Sequence, residues 1–396
     1  MKLVATISFY LISLFVSSQV WSPSAEFPGI ERDDGASFSI GDTAYCGTGV
    51  VPFYTLRDFY AFNMVDETWS AIASMPSGKQ RQYACGFSSE KTGYIFGGIN
   101  DTAFIKDLWQ YNPVTNSWVE KTSLPAAGRG GAASFVIDSI AYIIGGKTGS
   151  LAAINEVWAY NMSSDSWIQK SDFPFDTRWR AASAASDSLG YLAFGLDSSK
   201  NYHSEIYSYN PTLDQWIKIT DHPDGGRNYT KLFYNNNLLI SYGGMDSSRS
   251  FLNECLSYNL TSNRWTTLNE LPANNRRGVI SFQNQTAIFI TTGLTADGQR
   301  TKETWRLEQP TSLEKNKLDK YFMLYPIPVN QLLYIQASGT FKVKQYSIFN
   351  SHGQLILNNK LNSYNSNIAV NQLPAGIYTI TLETDSGAAS KIFIKK

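Results

Sequence analysis

The twelve residues DLWQYNPVTNSW, Asp107 to Trp118, decide the fold, because the chain repeats their pattern at a fixed interval. The copies are DFYAFNMVDETW ending at Trp69, EVWAYNMSSDSW at Trp167, EIYSYNPTLDQW at Trp216 and ECLSYNLTSNRW at Trp265, so successive tryptophans stand 49 residues apart. Each copy alternates apolar and polar residues, breaks at Asn63, Asn112, Asn161, Asn210 or Asn259, and resumes with the tryptophan. Alternation reads as a strand, and an asparagine opening a short polar stretch reads as a turn. Each copy is therefore a hairpin.

Other features keep the same interval. Glycine closes an apolar run at Gly49, Gly97-Gly98, Gly145-Gly146, Gly195, Gly243-Gly244 and Gly293. Within the unit from Pro125 to Trp167, four strands are predicted at GAASFVI (131–137), IAYIIGG (140–146), EVWAYN (156–161) and DSWIQK (165–170). A period near 50 with phased glycines and aromatics is the signature of a repeat architecture. One four-stranded sheet cannot bury both faces alone, so the sheets must stack around an axis. The Gly-Gly, aromatic and Trp pattern resembles the kelch family from about residue 20 to 308. That resemblance implies an all-β, six-bladed kelch β-propeller spanning 19–308.

The two ends of the repeat fit a closed ring. The last unit supplies Arg276, Gly293 and ETWRL (303–307) but no fourth-strand Trp, whereas Trp21 lies 48 residues before Trp69 with no blade of its own. The segment Val20–Ser24 is predicted to complete blade six, which removes a free sheet edge.

Before the ring, Met1-Lys2, the 14 apolar residues LVATISFYLISLFV and the small residues Val16-Ser17-Ser18 read as a removed signal peptide, 1–18. The run is short for a membrane anchor. After the ring, QPTSLEKNK (309–317) reads as a linker, and 318–396 as a small Ig-like β-sandwich with alternation in GIYTITLET (376–384). Its segments YPIPVNQLLYI (325–335), IFNSHGQLI (348–356), LPAGIYTITL (373–382) and the final KIFIKK resemble the type A C-terminal sorting domain of the type IX secretion system of Bacteroidota, with Ile327 where that family's YPNP motif has Asn. The resemblance implies passage across the outer membrane to a secreted or surface-attached state, with residues 318–396 as partner of the secretion machinery.

Composition excludes several function classes. Basic and acidic residues balance at 33 each, the pI is 6.8 and no basic run occurs, which argues against nucleic acid and anionic membranes as partners. No other segment reaches transmembrane length. Cys46, Cys85 and Cys255 are odd in number and widely spaced, so neither a disulfide framework nor a zinc site is expected. They read as buried small hydrophobes, with a Cys46–Cys85 bridge left open. With three histidines and no Walker loop, zincin helix or nucleophile elbow, no metal, cofactor or catalytic residue is assigned.

The most ordered polar feature is a pair of rings. Arg32, Arg81, Arg129, Arg178, Arg227 and Arg276 stand where the first strand of each blade begins; Asp58, Asp107, Glu156, Glu205, Glu254 and Glu303 stand where the third begins. First and third strands run the same way, so both rings lie on one face, about 10 Å apart. Either each blade ties its own arginine to its own acid, or several arginines face the central mouth and bind an anionic ligand by forked hydrogen bonds. The pattern varies just after the arginines: Asp33, Gln82, Gly130, Trp179, Asn228 and Arg277 come next, then Asp34, Tyr83, Gly131, Arg180, Tyr229 and Gly278.

Aromatics beside guanidinium groups suit a sugar carrying a carboxylate, so Arg178, Trp179, Arg180, Tyr83, Tyr229, Arg227 and Arg277 are ligand candidates. Tyr54 and His203 break phase on the loops between second and third strands and join them. The expected function is a binding module at the cell surface, holding a glycan or a protein. The alternative is an enzyme like the kelch-type mutarotases of sialic acid, with Glu205 or Glu254 and Arg227 as the reacting groups. A sugar site needs arginines free of their acids; a protein-binding module needs exposed aromatics on a wide loop face.

Overall fold

The computed structural model describes residues 20–101, 103–309, 321–337, 342–350, 355–363, 365–384 and 387–396. The segment 1–18 expected to be a signal peptide, and all of the expected linker but Gln309, lie outside these. The chain divides into two units, Met1–Pro310 and Thr311–Lys396.

The first unit is built on six antiparallel sheets of four or five strands, with two short two-stranded ladders beside them among the described residues. The third has Ala133–Ile137 innermost, then Ile140–Ile144, Val157–Asn161 and Ser166–Gln169. These lie within two residues of the bounds expected from sequence. The sixth sheet runs Ile280–Gln283, Ala287–Thr291, Thr304–Glu308 and, outermost, Trp21–Ser24. Trp21 pairs with Leu307 and Ser24 with Thr304. The start of the ring is thereby bonded to its end.

Packing runs between successive sheets and closes on itself. One core cluster joins Phe38, Tyr45 and Phe59 of blade one to Ile95, Trp109 and Tyr111 of blade two. Equivalent clusters join blades two and three, three and four, four and five, and five and six. The last joins Phe282 and Phe289 of blade six to Ala44, Cys46 and Phe62 of blade one. Each sheet has two apolar faces, and a ring is the arrangement that covers both.

The repeated stretch follows from three local contacts. Asn112 Oδ1 accepts the amides of Val114 and Thr115, setting the turn. The Tyr111 hydroxyl donates to Asn116, a residue at φ 47°. Trp118 Nε1 donates to the Ala73 carbonyl of the connection behind blade one, as Trp69 does to Ala25, Trp167 to Thr122 and Trp265 to Asp221. Trp21 makes the same bond to the Asn269 carbonyl at 2.9 Å. In five of the six blades this tryptophan is a bolt from the outer strand to the blade before it; Trp216 packs in the same place, against the core shared with blade three, with its Nε1 unpartnered.

The second unit has its own core of Phe322, Leu333, Ile348, Ile380, Leu382 and Phe393. It sits between a three-stranded sheet and a four-stranded one, a small β-sandwich. The three cysteines are free and buried, so Cys46 and Cys85 are not bridged.

Candidate functional site

Every ring arginine is buried and bonded to the acid of its own blade. Arg32 holds Asp58 by two bonds of 2.6 and 2.7 Å; Arg81 meets Asp107 at 2.5 Å, Arg129 Glu156 at 2.7 Å and Arg178 Glu205 at 3.4 Å. Arg227 pairs with Glu254 and Arg276 with Glu303. The inner strand and the loop of the third strand are fastened by this bridge, and backbone carbonyls take further N–H groups, such as Gly97 from Arg81. Burial pushes the Asp107 carboxyl up, but hydrogen bonds from Arg81 outweigh it and hold the group below its usual range. Arg178 and Arg227, named as ligand candidates from the sequence, are thus engaged by the acids of their own blades like the other four ring arginines.

His203, another ligand candidate from the sequence, is engaged in the same way. It is buried, with Nδ1 3.3 Å from Glu205 and Nε2 3.4 Å from Asp197. It occupies the position held by Leu56, Ile105, Ile154 and Leu252 in other blades, and it braces the loop instead of facing a partner. Tyr54 does project into solvent, beside a Phe53 that is 93% exposed.

The residues after the arginines converge on the axis. Asp34, Tyr83, Gly131, Arg180, Tyr229 and Gly278 all have left-handed φ values, from 55° to 66°. A non-glycine residue resists that conformation, so surrounding bonds must hold it. Here Asp34 N–H donates to the Gly278 carbonyl, Tyr83 to Asp34, Gly131 to Tyr83 and Arg180 to Gly131, a belt passing from blade to blade around the axis.

Above the belt, three aromatic rings from three blades enclose one guanidinium. The Arg180 carbon Cζ lies 3.7 Å from the Trp179 ring centre, 4.1 Å from Tyr229 and 4.6 Å from Tyr83. Arg180 Nη2 also donates to the Tyr83 hydroxyl, which stands 3.0 Å from that of Tyr229. Arg277 stacks on Tyr229 and reaches Asp33 at 3.4 Å and Asp34 at 3.7 Å, while Arg300 meets Asp33 at 2.6 Å. Of the sequence candidates, Tyr83, Trp179, Arg180, Tyr229 and Arg277 are thus one cluster.

Sequence reasoning missed Asp33, Asp34, Arg300 and Lys231 as members of it. Lys231 did carry a signal: its column otherwise holds Ala36, Cys85, Ala133, Ala182 and Ile280. Burial, with Asp33 adding to it, pushes the Asp34 carboxyl up to about 7 although Arg180 and Arg277 pull the other way.

Two spaces follow the axis. A chamber of about 110 Å³ is lined by the belt residues with Thr230 and Lys231. A channel of about 390 Å³ runs between the inner strands, whose serines stitch neighbouring blades, as Ser37 does to the Ser281 carbonyl and Ser183 to that of Ser134. The chamber is smaller than the roughly 300–1,000 Å³ of common small-molecule pockets.

Among the described residues, His222, Asp224 and Glu254 come within 4.8 Å of one another. They make a poor metal centre. His222 Nδ1 accepts the Asp224 amide and Nε2 lies 3.2 Å from Ser241 Oγ, while Glu254 is taken by Arg227. Burial holds the imidazole down to about 3, so it is a neutral core residue where other blades carry Met75, Leu124, Phe173 and Leu271.

Comparison with known proteins agrees with both units. The model of the Attractin/LZTR1 β-propeller matches residues 51–301, and that of the secretion system C-terminal sorting domain matches 323–396. The solved structure of YjhT superposes with a TM-score of 0.62 at 20% identity, covering 70% of this chain and 95% of that one, a likeness of fold. No curated protein matches the chain. The sorting domain directs export by type IX secretion, to the cell surface or beyond it, and so makes the secretion machinery a partner. No helix among the described residues is long and apolar enough to cross a membrane.

Proposed function

The chain belongs to the Attractin/LZTR1 β-propeller family, and from that premise we propose that the exported propeller is a recognition module that holds a macromolecular partner on its loop face. The observation that carries this reading is the state of the arginine ring. All six guanidinium groups are bound to acids of their own blades, so the most ordered charges of the mouth serve architecture. The loops on the same face present apolar side chains instead: Phe53 and Tyr54 of blade one, Leu151 of blade three and Phe175 behind it are exposed.

The rival reading, anomer exchange on an acidic sugar by Glu205 or Glu254 with Arg227, meets a physical obstacle. Glu205 is bonded to Arg178 and His203, and Glu254 to Arg227, so substrate would have to displace buried ion pairs. Thermal melting of the full chain with sialic acid, glucuronate and acetate separates the two. Recognition on the loop face predicts that neither sugar acid raises the melting temperature more than acetate does. A far larger shift with sialic acid, followed by catalysed anomer exchange, would overturn it. On the positive side, Phe53→Ser with Tyr54→Ser should abolish binding of the propeller to its macromolecular partner without changing the melt.

A further inference from the structure

The charges on the axis do not balance. Two carboxylates, Asp33 and Asp34, stand among the guanidinium groups of Arg180, Arg277 and Arg300 and the ammonium of Lys231. Asp33 is taken by Arg300 and Arg277, which leaves Asp34 to answer Arg180 and Lys231 while it also contacts Arg277. Arg180 forms no ion pair within 4 Å among the described residues, and its Nε is buried without a partner. Lys231 likewise makes no side-chain hydrogen bond or ion pair there; its one attractive interaction is electrostatic, with Asp34. Both cations line the same chamber. A desolvated cation without a counter-charge is costly, and a small anion beside it relieves that cost.

We propose that the axial chamber is a binding site for a small oxyanion, of carboxylate or phosphate size, held between Lys231 and Arg180. The chamber's volume of about 110 Å³ admits such a group. The Tyr83 and Tyr229 rings hold the guanidinium from the sides, so the Arg180 charge is positioned beside the chamber beforehand. Lys231 stands where five other blades carry an uncharged side chain, so the repeat does not require a cation there. Asp34 competes for the same two cations, which gives the site a built-in rival to its ligand.

The test uses the full chain in a zwitterionic buffer free of oxyanions, titrated by calorimetry with acetate in one arm and inorganic phosphate in the other. Saturable binding of one or both is expected, and the preferred arm identifies the source. Lys231→Met should weaken it at least about tenfold, while Asp34→Asn, which removes the competing carboxylate, should tighten it. Circular dichroism and melting of each variant establish that it is folded. No saturable binding to the wild-type chain, binding undiminished in a folded Lys231→Met, or weaker binding in a folded Asp34→Asn would each overturn the proposal. Loop-face recognition stands apart from that result, since Phe53 and Tyr54 do not line the chamber.

Discussion

Replacing Arg81 by Met tests whether the arginine ring is architecture. Arg81 is fully buried and makes four bonds: Nε to the Lys79 carbonyl at 2.9 Å, Nη1 to the Gly97 carbonyl at 3.0 Å and to Asp107 at 2.5 Å, and Nη2 to Asp107 at 3.2 Å. Methionine fills part of the volume but strands the Gly97 carbonyl and leaves Asp107 with Lys79 and the Trp109 indole. Breaking one partner of a buried pair costs about 3–5 kcal/mol, and the two remaining donors place this case near 3. Arg276 is the control. Its Nη1 has no partner and the side chain of Glu303 is 46% exposed, so water takes over much of what the arginine supplied. Arg276→Met should cost only about 1–2 kcal/mol. Guanidinium denaturation followed by tryptophan fluorescence, with both variants at equal slope, reads the difference. Equal losses in the two variants, or a loss below about 1 kcal/mol for Arg81→Met, would refute the reasoning that ring charges are valued by burial and bond number.

Further outcomes are expected elsewhere. Trp21→Ala should destabilise the propeller by about 3–5 kcal/mol, since it deletes a buried indole and its bond to Asn269 at the closure of the ring; unchanged denaturation midpoints would show that the outermost strand is dispensable. His222 is pulled below its unfolded value of 6.5 to about 3 by burial, so the unfolded chain binds the extra proton and stability falls as pH drops from about 6.5 towards 3. His222→Leu should flatten that part of the pH profile, measured as denaturation midpoints at successive pH values; an unaltered slope would contradict a buried neutral imidazole.

Phase carried most of the fold into the sequence. Because each tryptophan packs an outer strand against the blade before it, five of the six with an indole hydrogen bond, its recurrence could not drift, and Trp21 betrayed the closing strand by keeping step from the far end. The ring of arginines and acids was legible for the same reason. Which arginine remains free was not. Arg178 and Arg180 look alike in RWR, yet the left-handed turn between strand and loop sends one into its blade and the other over the axis. The cage around Arg180 takes Tyr83 from blade two and Tyr229 from blade five, a meeting across the ring that no interval in the chain encodes. His203 stands where four other blades carry Leu56, Ile105, Ile154 and Leu252 and blade six carries Thr301, and a histidine among serines and a tyrosine reads as solvated until its two carboxylate neighbours are placed.

The strand Thr304–Glu308 is the last of the propeller, and it lies between Ala287–Thr291 on one side and Trp21–Ser24 on the other. The chain leaves it at the face opposite the loops. A pull between a partner gripping the loops and the end of the ring at Gln309 would run lengthwise along this strand. Rupture would then require two ladders to slide at once, with all their bonds loaded together, whereas a terminal edge strand would peel away bond by bond. The borrowed N-terminal strand is what makes the exit a two-sided clamp.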